Sequence, residues 1–123
     1  MDEKQEDKEV YARIMQLLQA ARYAEAERLC DLTLKTAAAA SHLPWFYLGA
    51  ARQFQGKLDK ALEAFQKAHA IAPNDIEVIN ACASCFDQLK RHQEAYDTML
   101  KAYQLAPGDS AVCANLGAAL EKL

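Results

Sequence analysis

Apolar residues recur at helical spacing through the middle of the chain, and glycine or proline interrupts them at regular intervals. Before Gly56, Trp45, Leu48, Gly49 and Arg52 share one helical face, and Pro44 suits the first turn, where a missing N–H costs nothing. Gly56 breaks that helix and can take a positive φ. A second helix begins near Leu58 with the stripe Leu58, Ala61, Leu62, Phe65, Ala68 and Ile71, and Pro73 stops it. The scheme then returns. Ile79, Cys82, Ala83 and Phe86 are followed by Ala95, Met99, Ala102 and Leu105, closed by Pro107. Pro73-Asn74-Asp75 and Pro107-Gly108-Asp109-Ser110 are turn and N-cap signals at matching places.

The displacement between the two copies is 34 residues: Pro73 to Pro107, Ala61 to Ala95, Phe65 to Met99. Trp45, Leu48 and Gly49 become Ile79, Cys82 and Ala83, then Cys113, Leu116 and Gly117. A fixed period of this size predicts helix pairs stacked into a solenoid. Residues 42–75 and 76–109 are the clear units. An eroded copy covers residues 7–41, with Tyr23, Ala26 and Leu34 in place but Cys30 at the large aromatic position and no closing proline. Its linker, Ala37-Ala38-Ala39-Ala40-Ser41, reads as a prolongation of the helix before it. Residues 110–123 supply half a copy, and residues 1–6 form a charged start. Seven helices are predicted.

The series Trp45-x2-Leu48-Gly49, Gly56, Ala61, Phe65, Ala68, Pro73 resembles the tetratricopeptide repeat position for position. The second copy keeps the alanines and the proline but puts Phe86 where the first has Arg52. The resemblance implies an all-α solenoid, a right-handed superhelix of about three and a half repeats. It also implies a concave groove lined by the second, fifth, ninth, twelfth and thirteenth positions of each first helix. In the clear copies these are Leu43, Phe46, Ala50, Gln53 and Phe54, then Glu77, Asn80, Ser84, Asp87 and Gln88. The eroded copy adds Lys8, Tyr11, Met15, Leu18 and Gln19, and the half copy Ala111, Ala114, Ala118, Glu121 and Lys122. Tyr11, Phe46, Ala50, Gln53, Phe54, Glu77, Asn80, Ser84 and Asp87 are the candidate peptide-binding residues. A helix cannot bury Trp45, Phe46 and Tyr47 on one face; with Trp45 inward, Phe46 points roughly 100° away.

One role within the family is argued down. Repeats that grip a C-terminal carboxylate use Lys, Asn, Asn, Lys and Arg side chains at places held here by Tyr11, Met15, Tyr47, Glu77 and Ala81. A carboxylate would meet no cationic fork and would be repelled by Glu77.

Composition narrows the classes further. The net charge of −3 is set by residues 1–9, where five acids face Lys4 and Lys8, and the rest of the chain is balanced. With no basic stripe to neutralise phosphates, nucleic acid is not an expected partner. No apolar run approaches the ~18 residues of a membrane span, and the start lacks a secretory apolar core. Neither a membrane nor a secreted setting is expected. Cys30, Cys82, Cys85 and Cys113 fall at repeat-core spacings, which suits reduced thiols in the cytoplasm.

Cys82-x2-Cys85 lies mid-helix, whereas redox pairs open a helix and zinc wants about four ligands. Buried small hydrophobes are the expectation, with neither metal nor cofactor. His42, His69 and His92 are scattered at a helix start, a helix end and a turn, with no nucleophile placed by spacing to use them, and no Gly-rich phosphate loop is present, so catalysis is not expected.

The last helix is apolar nearly all round, although terminal repeats need a polar outer face. Val112, Leu116, Leu120 and Leu123 are the candidate self-association residues, unless further repeats follow. The functional expectation is a non-catalytic scaffold that binds a peptide or helix of another protein in its groove. The alternatives are a regulatory or targeting domain cut from a larger enzyme such as a transferase, and a bacterial secretion-type chaperone.

Overall fold

A computed structural model describes residues 3–123, with side chains from Gln5 onward except at Ala37. Among these residues the regular structure is entirely helical. Helix α1 spans Glu3–Gln19, α2 Tyr23–Thr33, α3 Leu43–Phe54, α4 Leu58–Ile71, α5 Ile76–Gln88, α6 His92–Leu105 and α7 Ser110–Glu121, with one 3₁₀ turn at Ala37–Ala40. Consecutive helices pack against each other, and α1, α3 and α5 also touch across the pairs.

The helix boundaries follow local chemistry. Pro44 sits in the first turn of α3. The Asp75 carboxylate accepts from the N–H of Glu77 (3.0 Å) and Val78 (3.3 Å), and Asp109 accepts from Val112 N–H (3.1 Å). Each satisfies donors that have no partner inside the helix. The first helix of each pair ends in one repeated turn. Gly56 has φ +79°, and its counterparts Ala21 and Lys90 have φ of 60° and 63°. The next N–H folds back on the carbonyl five residues earlier: Arg22 on Leu17, Lys57 on Arg52, Arg91 on Phe86, at 2.8–2.9 Å. This is the Schellman closure of a helix C-terminus. It matches Ala21, Gly56 and Lys90, so the eroded copy is displaced by 35 residues rather than 34.

Three clusters of buried side chains run along the solenoid. Ile14, Leu17, Cys30, Leu48 and Ala64 make the first, Phe65, Cys82, Cys85 and Phe86 the centre of the second, and Ile79, Met99, Ala102 and Val112 the third. Gly49 is required where α3 meets α4: a Cβ there would lie 2.5 Å from the Phe65 ring. Trp45 is half-buried against the first cluster, with Lys67 Nζ 4.5 Å from its ring centroid.

Four expectations are corrected. The alanine linker does not prolong α2: Thr36 turns extended, its hydroxyl accepts from Ala38 N–H at 3.2 Å, and a separate 3₁₀ turn begins. Side-chain capping competes with helix continuation here. Ile71 and Leu105 close their helices outside the buried core, at 42% and 46% exposed. Cys113 is exposed rather than in the core. Its counterpart Ile79 is covered by Met99 and Ala102 of α6, whereas α7 is the last helix among the described residues. Val112 is fully buried in the third cluster, so it belongs to the core and not to a self-association surface. Leu116 is half-buried, while Leu120 and Leu123 are exposed.

Candidate functional site

The first helices of the pairs line one side of the molecule, and its second half holds an open cleft of ≈ 520 Å³ between α3, α5, α6 and α7. Its floor is small and apolar, with Ala81, Ala83, Ala95, Ala118 and Ala119 beside Met99. Its rim is polar. Gln53 Nε2 donates to Ser84 Oγ (3.0 Å) and Gln88 Oε1 (2.6 Å), which ties α3 to α5. At the other end Lys122 Nζ donates to Asp87 Oδ2 (2.6 Å) while His92 Nδ1 lies 3.1 Å from Oδ1. The hydrogen bond from Lys122 is the main cause holding the Asp87 carboxyl below its ordinary value. Asp87 is therefore already matched by a cation. Asn80 presents a different state: its Oδ1 is buried without a hydrogen-bond partner.

The first half of the same side is filled by rings. Tyr11 and Tyr47 approach at 5.8 Å, Phe46 meets Tyr47 at 5.7 Å edge-on, and Phe46 leans on Phe65 at 5.8 Å. Burial raises both tyrosine phenols above their ordinary values, and the negative charge of Glu77 adds to the rise at Tyr47. Ala50 is half-buried beside Phe46 on the second cluster. Phe54 is 62% exposed and stacks on Tyr23 at 4.9 Å and 13°.

Thus Gln53, Glu77, Asn80, Ser84 and Asp87 come together around the cleft, with Ala118 and Lys122 from the last helix. Tyr11, Phe46, Ala50 and Phe54 lie outside it, toward the aromatic half. Six lining residues lie outside the expected groove positions: Ala81, Ala83, Ala95, Met99, Asn115 and Ala119. Of these, Ala81 and Asn115 share one repeat position with Tyr47, at a spacing of 34, so the signal for that pair was the period itself. A helix turns about 100° per residue, which leaves the sixth position facing the groove beside the fifth.

The remaining chemistry is structural. Burial pushes the Cys30 and Cys85 thiols up to about 12 and Cys82 to about 11, so they stay protonated near neutrality. No group of three or more His, Cys, Asp or Glu is placed to hold a metal ion among the described residues. His42 Nε2 lies 3.2 Å from Asp75 Oδ2, joining α3 to the cap of α5. No helix among the described residues is long and apolar enough to cross a membrane.

Models of the tetratricopeptide repeat match residues 43–75 and again residues 76–109, which together make up more than half of the chain. The chain belongs to the tetratricopeptide repeat family. The fold agrees with solved structures of low sequence identity. The Yersinia enterocolitica type III secretion chaperone SycD, in complex with a peptide of the translocator YopD, is 19% identical, with a TM-score of 0.83 over 94% of this chain and 92% of that one. PcrH, in complex with the chaperone binding region of PopD, is 21% identical, with a TM-score of 0.80 over 98% and 90%. The Sgt2 TPR domain of Aspergillus fumigatus is 17% identical, with a TM-score of 0.85 over 95% and 78%. No curated protein matches the chain by sequence.

Proposed function

We propose that this tetratricopeptide repeat domain is a non-catalytic scaffold that binds a segment of another protein along the side formed by α1, α3, α5 and α7. The observation that carries this reading is the ≈ 520 Å³ cleft, an alanine floor under a polar rim, adjoining a row of aromatic side chains. Such a surface suits an extended or helical segment with apolar anchors and polar flanks. Gln53, Glu77, Asn80, Ser84 and Asp87 would hold the segment at the cleft. Tyr11, Phe46, Ala50 and Phe54 would continue the contact along the aromatic half.

Electrostatics add a constraint. Asp87 is matched by Lys122, whereas Glu77 is exposed and forms no ion pair among the described residues, so the rim is mildly acidic and disfavours a terminal carboxylate. A narrower reading, a chaperone of the secretion type, is favoured by the end-to-end likeness to SycD and PcrH, both solved with segments of other proteins. A cytoplasmic setting fits the four free cysteines.

The test is peptide selection on the immobilised chain followed by a variant that fills the cleft. Ser84 is exposed on the rim, and Gln53 keeps Gln88 as an acceptor without it, so Ser84→Trp should change the melt little. We expect selected peptides to lose at least about tenfold in affinity for that variant, a loss of about 1.4 kcal/mol. Equal binding to both proteins, or no selected peptide at all, would overturn the reading.

A further inference from the structure

Polar groups around the cleft are matched unevenly. Asp87 is paired with Lys122 at 2.6 Å, and His42 lies 3.2 Å from Asp75 at the cap of α5. Ser84 Oγ already takes the Gln53 amide. Glu77 lines the same cleft, is exposed, and forms no ion pair among the described residues. Its negative charge is felt at the Tyr47 phenol, which puts the carboxylate at the edge where the cleft meets the aromatic half. Three residues on, Asn80 also lines the cleft, with Oδ1 buried and without a hydrogen-bond partner. Side chains three apart on a helix are neighbours, about 5–6 Å between their Cβ atoms. Glu77 and Asn80 are thus a pair of acceptors, one of them charged, that the described residues leave without a side-chain donor. A buried acceptor left unmade is costly, and a donor arriving in the cleft relieves that cost. The last torsion of an amide side chain is soft, so the oxygen can turn to meet it.

Resting on the reading of the cleft as a peptide site, we infer that it selects a segment carrying an arginine, with the guanidinium held by the Glu77 carboxylate and Asn80 Oδ1. The floor beside them is small, Ala81 and Ala118, and leaves room for the long aliphatic stem. A guanidinium suits the pair because it carries five N–H donors in a planar fork, no acceptor and a permanent charge, and it sheds water more readily than an ammonium. Lysine brings one compact, strongly hydrated nitrogen and spreads less well over two acceptors. An acidic side chain would meet two acceptors with nothing to donate. The pair therefore discriminates by sign and by shape.

The probe is a random library of short peptides selected on the immobilised full chain, with affinities then measured by fluorescence anisotropy. Arginine should be enriched at one fixed position. In the tightest peptide, alanine in place of that arginine should weaken binding at least about tenfold, as the loss of a charge-assisted hydrogen bond does. Lysine there should weaken it less. Glu77→Gln changes an exposed side chain and keeps the backbone N–H that Asp75 caps, so the melt should hold. It should weaken the arginine peptide by about the same factor as the alanine replacement and leave the alanine peptide unaffected, because both changes remove one contact. Asn80→Ala should lower the affinity for the arginine peptide and spare the alanine peptide in the same way. Selected peptides without an enriched arginine would overturn the inference and leave the scaffold reading standing. So would an arginine peptide bound equally by wild type and Glu77→Gln. A library that yields no peptide at all would overturn both.

Discussion

At residue scale, the packing of Gly49 against Phe65 is the sharpest constraint in the molecule. A methyl group at position 49 would sit 2.5 Å from two ring carbons of a side chain that is 1% exposed. The ring has no free volume to move into, because interiors pack at crystal-like density. Gly49→Ala gains up to about 1 kcal/mol of helix propensity. Overpacking should nevertheless outweigh it, for a net loss of about 1–3 kcal/mol in urea unfolding. An unchanged or higher midpoint would mean the ring swings aside. Trp45-x2-Leu48-Gly49 made this glycine conspicuous in the sequence, but the ring that demands it was identified only by distance. Asn80 was legible as a groove position. The absence of any hydrogen-bond partner for its Oδ1 was not, because a side chain's partners depend on neighbours far away in the chain.

At the scale of elements, the pairs are joined by polar bridges that no local pattern announces. Glu27 on α2 accepts from Gln55 Nε2 (2.9 Å), Lys57 Nζ (3.0 Å) and Arg52 Nε (3.2 Å) at the end of α3. Burial pushes the Glu27 carboxyl up, but the three donors together hold it below 4.5. A depressed carboxyl stabilises the fold fully above its unfolded value and loses that contribution as the pH falls through its folded value. Wild type should therefore melt well above Glu27→Gln at pH 7, and the gap should shrink steadily below pH 4.5. Thermal melts of both proteins across that range check this; a gap that stays constant to about pH 2, below even a strongly depressed carboxylate, would mean charge at Glu27 contributes nothing. The helices themselves were readable from the apolar period and from Pro44, Gly56, Asp75 and Asp109. The 3₁₀ turn at Ala37–Ala40 was not, because four alanines favour helix and the Thr36 hydroxyl decided otherwise.

At the scale of the whole molecule, stability in a solenoid is a sum over neighbours, so an element with one neighbour is the least protected. Helix α7 packs on α6 alone among the helices it touches extensively, whereas α4 lies between α3 and α5. Native-state hydrogen exchange should show amides in the middle of α7 opening about 10–100 times faster than those of α4 and α5, a difference of about 1.4–2.7 kcal/mol. Uniform protection would show that the chain unfolds as one unit and that the end is not weak. The groove has its own division along the same axis. Its first half is filled by Tyr11, Phe46 and Tyr47, while the substitution of Asn80 and Ala81 at the matching places of α5 hollows out the second.

The sequence alone determined the family, the helical pairs and the side of the molecule on which a groove forms. The helical pairs follow from periodicity, which a chain carries locally; the family and the groove side follow from the resemblance that the repeated motif carries. Tertiary structure decided which groove positions share a cleft, that Asp87 is already matched by Lys122, and that Val112 is core. It also decided that Cys113 and Gly117 lie open. Those outcomes depend on whether a neighbouring helix supplies the covering atoms, and a repeat motif reads the same whether its neighbour is there or not.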